Sequence, residues 1–224
     1  MEHRPISRLG REVSVIGQGS WQLGGDWGEV DDDTGAAILG AAADAGVTFF
    51  DTADVYGDGR SERLVGTFAH ERGRDRFVVA TKIGRRAEPH APEQFTADNL
   101  RRWSDRSRDN LNDDMLDLVQ LHCPPTPVYS SDVVFETLDE MVCKGRMRAY
   151  GVSVETVDEA LTAIAREHVA SVLIILNVFR RKPLERVLQA AAAAEVAIIA
   201  RVPLASGLLS GKFGAGTTFA ADDH

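Results

Sequence analysis

Seven short apolar runs separated by amphipathic segments, a repeat of about 30 residues, and polar residues gathered at the ends of successive runs together predict an α/β fold. The pattern fits a (β/α)8 barrel of the TIM type that is incomplete, with about seven βα units and its eighth strand missing. The runs are residues 13–17, 47–51, 77–82, 116–122, 149–153, 172–177 and 196–201. Each has the length of a buried strand. Alternation with helices implies parallel connections, because a parallel pair needs a crossover. An open doubly wound sheet satisfies the same alternation and is the structural alternative. No linker, charge block or low-complexity tract divides the chain, so residues 1–224 read as a single barrel domain.

The elements follow in order. Residues 6–14 alternate around Gly10 and read as a small hairpin outside the barrel. Asp31, Asp32, Asp33 and Thr34 offer N-caps to a helix over 36–45 that Gly46 stops. A helix over 61–72 ends at Gly73, and one over 96–110 carries a partial apolar stripe at Leu100 and Trp103. Helices over 132–144, 155–167 and 183–194 complete the set, with Pro183 suited to a first helical turn. Without strand eight, the runs at 13–17 and 196–201 become free edges. Neither carries an inward charge to block pairing, which predicts self-association through the open barrel edges.

Composition narrows the partners. The chain has 224 residues, 44% hydrophobic and 26% charged, which excludes wholesale disorder. A net charge of −9 argues against a nucleic-acid partner. Cys123 and Cys143 are the only cysteines; they make no disulfide framework and lack zinc-site spacing, so no metal is expected. The N-terminus lacks an apolar signal region, and no apolar stretch approaches the roughly 20 residues that span a bilayer. The expected location is the cytoplasm, with no membrane partner.

Two phosphate-binding motifs fail. Gln22 stands where a Gly-rich dinucleotide fingerprint beginning at Gly17 needs Gly or Ala. The stretch from Ser206 to Phe213 lacks the first Gly and the final Ser or Thr of a P-loop. The informative feature is different. Asp51 ends the second run and Tyr56 follows it, Lys82 ends the third, and His122 ends the fourth. Singly, each has a plainer role: a turn cap, a packing ring, a solvated cation, a core imidazole. In a barrel, however, these ends converge on one mouth. A phenol is a weak acid at neutral pH, and a neighbouring Lys82 ammonium lowers its pKa. Asp51 would hold Lys82, His122 would position a carbonyl oxygen or relay a proton, and Tyr56 would protonate a forming alkoxide. No side chain supplies a hydride, so a nicotinamide must.

These residues resemble the aldo-keto reductases. The likeness runs through Ile16-Gly17-Gln18-Gly19-Ser20-Trp21, Phe50-Asp51-Thr52-Ala53-Asp54-Val55-Tyr56-Gly57, Thr81-Lys82-Ile83-Gly84, Leu116–His122, Gly151-Val152-Ser153 and Pro203-Leu204-Ala205-Ser206-Gly207-Leu208-Leu209-Ser210-Gly211-Lys212. Within the family the chain resembles the bacterial general-stress and inositol-cluster type. The resemblance implies NADP-dependent reduction of a small aldehyde or ketone, with NADPH as cofactor and NADH as the alternative. It implies the catalytic tetrad Asp51, Tyr56, Lys82 and His122. It also implies cofactor contacts at Ser20, Trp21, Asp51, Ser153, Arg201, Leu204, Gly207 and Lys212, with Arg201 where many relatives stack an aromatic ring. Trp21 and Trp27 are candidates for the substrate-pocket wall. Leu173 stands where relatives usually have a Gln for the carboxamide, and Leu176 where they have a Tyr. Family members also continue beyond the position of His224, with the eighth strand and a segment gripping the adenosine end, so the chain reads as truncated at its C-terminus. That departure and Leu173 keep a second reading open, a non-catalytic cofactor-binding or sensing module or an inactive fragment.

Overall fold

The structure, a computed structural model, describes residues 1–25 and 30–219. Strands β1 (His3–Ile6) and β2 (Arg11–Ser14) form an antiparallel hairpin across Gly10, whose φ of +67° suits a residue without Cβ. Seven parallel strands follow: β3 (Gln18–Gly19), β4 (Phe49–Asp51), β5 (Val78–Ile83), β6 (Leu116–His122), β7 (Met147–Ser153), β8 (Val169–Ile175) and β9 (Ala197–Arg201). They lie side by side in chain order, as in a barrel; the doubly wound alternative requires a reversal of strand order, and the described strands show none. The helices are α1 (Asp32–Asp44), α2 (Arg60–Arg72), α3 (Ala97–Leu111), α4 (Asp132–Cys143), α5 (Val157–Ile164) and α6 (Pro183–Ala193). Their starts follow local chemistry. The Asp31 carboxylate accepts from Thr34 N at 2.7 Å, and Thr156 and Glu159 close a capping box on α5.

One expected strand is corrected. The first barrel strand is the two-residue β3, not residues 13–17, because Val13 and Ser14 pair with Arg4 and His3 in the hairpin. One free edge is therefore β3, while the other is β9 as expected; the two do not pair among the described residues. The sheet is a curled, incomplete (β/α)8 arc.

Two apolar layers hold it. The outer faces of the strands pack on the helices through Phe50, Val79, Val119, Val152, Val172 and Ile174. The inner faces meet the hairpin, where Ile6, Leu9 and Val13 cluster with Phe49, Val78, Ala80, Leu118, Ala149 and Ala170. The hairpin is thus a plug at the N-terminal ends of the strands, pinned by Arg8 to the carbonyls of Val169 and Ala194. Side chains alternate along a strand. The inward rank therefore continues from Phe49 to Asp51, from Ala80 to Lys82, from Leu118 to Gln120 and His122, and from Ala149 to Gly151 and Ser153. In β8 the register against β7 slips by one residue, pairing Tyr150 with Val169 but Gly151 with Ser171. The extra residue, Ala170, turns Ser171 and Leu173 inward beside it.

Candidate active site

The polar residues of the inward rank meet at the C-terminal mouth of the arc. Lys82 is buried, and its ammonium donates to Asp51 Oδ2 at 2.6 Å and to the Thr52 carbonyl at 2.8 Å. It also reaches the Tyr56 hydroxyl at 3.4 Å and lies 5.0 Å from the centre of the Tyr56 ring. The His122 ring meets Tyr56 edge-on, with centroids 5.9 Å apart at 87°. Trp21, 44% exposed, lies nearly parallel to Tyr56 with centroids 6.3 Å apart. The loop that carries Tyr56 is held close to its neighbour by Gly57 and Gly24: a Cβ on Gly57, at φ +56°, would meet the Gly24 carbonyl oxygen at 2.2 Å.

The electrostatics assign protons. Burial works against the charged form of Lys82, but Asp51 and Tyr56 outweigh it, and the ammonium is held above its ordinary pKa. Burial raises the Tyr56 phenol, and Lys82 pulls it back only in part. The expected lowering by Lys82 therefore operates, but desolvation is the larger effect and the phenol keeps its proton at neutral pH. Burial, followed by the charges of Lys82, Arg85 and Arg201, holds His122 well below the ordinary imidazole value, so its ring is neutral. A protonated phenol, a fixed cation and a neutral imidazole around one opening can donate a proton and hydrogen bonds to a carbonyl oxygen.

The other predicted residues are placed unevenly. Ser153 is buried, with its hydroxyl 3.2 Å from Cys123 Sγ. Arg201, inward after Ala197 and Ile199, reaches Val154 O at 3.3 Å and Glu155 Oε1 at 3.1 Å. Ser20 is fully buried, and its hydroxyl donates to Asp51 O and accepts from Ser61 Oγ, both at 2.8 Å, so it braces the strand end. Leu204, Gly207 and Lys212 stand on the exposed loop after β9, with the Lys212 ammonium over the Phe213 ring at 5.8 Å. Trp27 lies outside the described residues. Leu173 is buried in line with Ser153 and Ile199 and presents a hydrocarbon surface there.

Gln120 was not among the predicted residues. Its amide donates to Asp51 Oδ1 at 3.3 Å from the layer beneath His122. The signal was available: it is a polar residue two positions before His122 in an otherwise apolar run. Gln120 Oε1, His122 Nδ1, Ser171 Oγ and Arg201 Nε are all buried, and none has a hydrogen-bond partner among the described residues. A cavity of about 440 Å³ opens beside the mouth, between Glu155–Asp158 and Ile174–Pro183. It holds none of the four converging residues, so the chemistry is read from the mouth.

Comparison with known proteins agrees with this architecture. A profile described as the Aldo/keto reductase family matches residues 15–224. The aldo-keto reductase YhdN of Bacillus subtilis (strain 168) is 33% identical over 230 residues, covering 100% of this chain and 68% of that protein. The glycerol dehydrogenase AKR11B4 from Gluconobacter oxydans superposes with a TM-score of 0.83 at 30% identity, over 99% of this chain and 69% of that one. An aldo/keto reductase from Klebsiella pneumoniae in complex with NADP and acetate superposes with a TM-score of 0.75 at 27% identity, over 89% of this chain and 68% of that one. The chain spans about two thirds of the length of each of these relatives.

Proposed function

This chain belongs to the aldo/keto reductase family, and from that premise we propose that it reduces a small aldehyde or ketone to the alcohol with NADPH. The observation that carries the reading is the buried Lys82 ammonium bridging Asp51 and the Tyr56 hydroxyl beside His122. In this mechanism Tyr56 Oη gives its proton to the carbonyl oxygen. Lys82 stabilises the phenolate left behind, and Asp51 holds Lys82 in place. His122, neutral, orients the carbonyl by hydrogen bonding, and Trp21 walls the pocket.

The residues at the mouth fit a nicotinamide. The buried, unpartnered atoms of Gln120, His122 and Arg201 are those a polar ligand or water would satisfy, and the exposed Lys212 on its glycine-containing loop suits a diphosphate. When bound, the cofactor supplies the hydride that no side chain can. Ser153, Arg201, Leu204, Gly207 and Lys212 are the proposed holding residues. The cytoplasm is the proposed location; among the described residues no helix is long and apolar enough to cross a membrane.

Substitution Tyr56→Phe tests the assignment. It keeps the ring and removes the proton donor, so turnover of a generic aldehyde with NADPH should fall by at least about 10²-fold, with cofactor affinity little changed. Retention of most turnover sinks it. The apolar surface of Leu173 favours a second reading, a module that binds cofactor without reacting. Fluorescence titration with NADPH and NADH beside a steady-state assay separates the two: binding without turnover selects the module.

A further inference from the structure

Arg201 sits at the end of an edge strand, yet its guanidinium reaches across to the segments that follow β6 and β7. Residue by residue, Arg201 pairs with Ile175, two residues beyond the row in which Ile199, Leu173, Ser153 and His122 stand side by side. From β9 the side chain crosses β8. Nη2 lies 3.3 Å from Val154 O and 3.9 Å from the sulfur of Cys123, the residue after His122. Nε is buried and has no partner among the described residues. Among the described residues its counter-charge is Glu155, at 3.1 Å, but that side chain is 61% exposed against 28% for Arg201. A carboxylate in water screens a neighbouring cation poorly on the side that faces away from the solvent. The field is felt inside: after burial and nearer charges, Arg201 adds to the lowering of His122 and offsets part of the rise that burial imposes on Tyr56.

We propose that Arg201 makes this mouth discriminate between the two redox states of a nicotinamide, favouring the neutral reduced ring over the cationic oxidised one. The inference rests on the cofactor reading above. Its reason is charge. A reduced nicotinamide ring is neutral, and the same ring would carry one positive charge after giving a hydride to the carbonyl carbon while Tyr56 protonates the oxygen. A guanidinium that reaches Cys123 and Val154, the residues following His122 and Ser153, opposes that charge on a ring held within the mouth, and the opposition is strengthened by the low polarity around Leu173 and Ile199. Arg201 therefore weakens binding of the oxidised cofactor and speeds its release. It also pulls the equilibrium of the bound pair towards the reduced cofactor, which makes reduction depend on that release.

The experiment is a fluorescence titration of the wild-type chain, Arg201→Met and Arg201→Lys with NADPH and NADP⁺, beside NMR titration of His122 in the cofactor-free proteins. Arg201→Met is expected to tighten NADP⁺ relative to NADPH by about tenfold and to move the His122 midpoint upward. Arg201→Lys, which keeps the charge, should stay close to wild type in both. An unchanged NADP⁺-to-NADPH ratio in a folded Arg201→Met protein overturns the inference and leaves the cofactor reading standing. So does an unmoved His122 midpoint, because the charge then does not reach the mouth. Failure of the wild-type chain to bind either cofactor overturns the cofactor reading, and this inference with it.

Discussion

Lys82 and Arg201 are both cations at the inward end of a barrel strand, yet their surroundings differ as the middle of a sheet differs from its edge. Every residue of β5 is buried, with β4 and β6 on either side and helices behind. In β9, an edge strand of similar apolar composition, no residue is fully buried. Lys82 is satisfied by a carboxylate, a carbonyl and a phenol. Arg201 leans on a solvent-exposed glutamate and the Val154 carbonyl, and its Nε has no partner among the described residues. The difference teaches that position in the sheet, more than residue type, decides how firmly a charge is held. The centre provides a fixed cation for proton chemistry, whereas the edge provides an adaptable one.

The largest predicted effect tests whether burial in the central half always comes with satisfaction. Asp54, on the Tyr56 loop, is fully buried with neither carboxylate oxygen hydrogen-bonded among the described residues. Burial, and secondarily Glu62, push it up to about 7 against the partial opposition of Arg86 and Arg106. An unfolded Asp titrates near 4, so between about pH 4 and 7 the folded chain holds a proton that the unfolded chain has lost. This group's contribution is therefore full below about pH 4 and is lost as pH rises to 7, by up to about 4 kcal/mol. Asp54→Asn should remove that slope. Urea unfolding of wild type and variant across this range checks it, and parallel pH profiles would show that the carboxyl finds a partner after all.

A second measurement sharpens the contrast between centre and edge. Amides of β5 and β6 should exchange with solvent at least about 10²-fold more slowly than those of β9, because outer strands open locally while central ones need larger unfolding. The sides of β3 and β9 left unpaired among the described residues should also drive concentration-dependent association, seen by light scattering. A clean monomer with equal protection across the sheet would erase the comparison.

The smallest effect concerns the floor between the two halves. Leu173→Gln places an amide in the row of Ser153 and His122, and should tighten nicotinamide binding by about 1 kcal/mol, the net worth of one hydrogen bond. An unchanged dissociation constant in a folded variant would mean that the cofactor does not meet this row.

Much of this was written locally. Alternating apolar runs and glycine stops placed six of the seven barrel strands and the six helices, because strand and helix periods and cap chemistry act over a few residues. The family motifs marked Asp51, Tyr56, Lys82 and His122, and the repeat length implied that their strand ends converge. The remainder depended on contacts between distant segments. Residues 13 and 14 look like a barrel strand in isolation, but pairing with residues 3 and 4 makes them a plug, and only Gln18 and Gly19 join the sheet. The one-residue slip at Ala170 decided that Ser171 and Leu173 face inward. Gln120 entered the site because register put it beside Asp51. The net rise in the Tyr56 pKa also belongs to the tertiary structure. Sequence shows that a lysine stands near a tyrosine, but desolvation depends on how much of the whole fold closes around the phenol, and here it outweighs the charge.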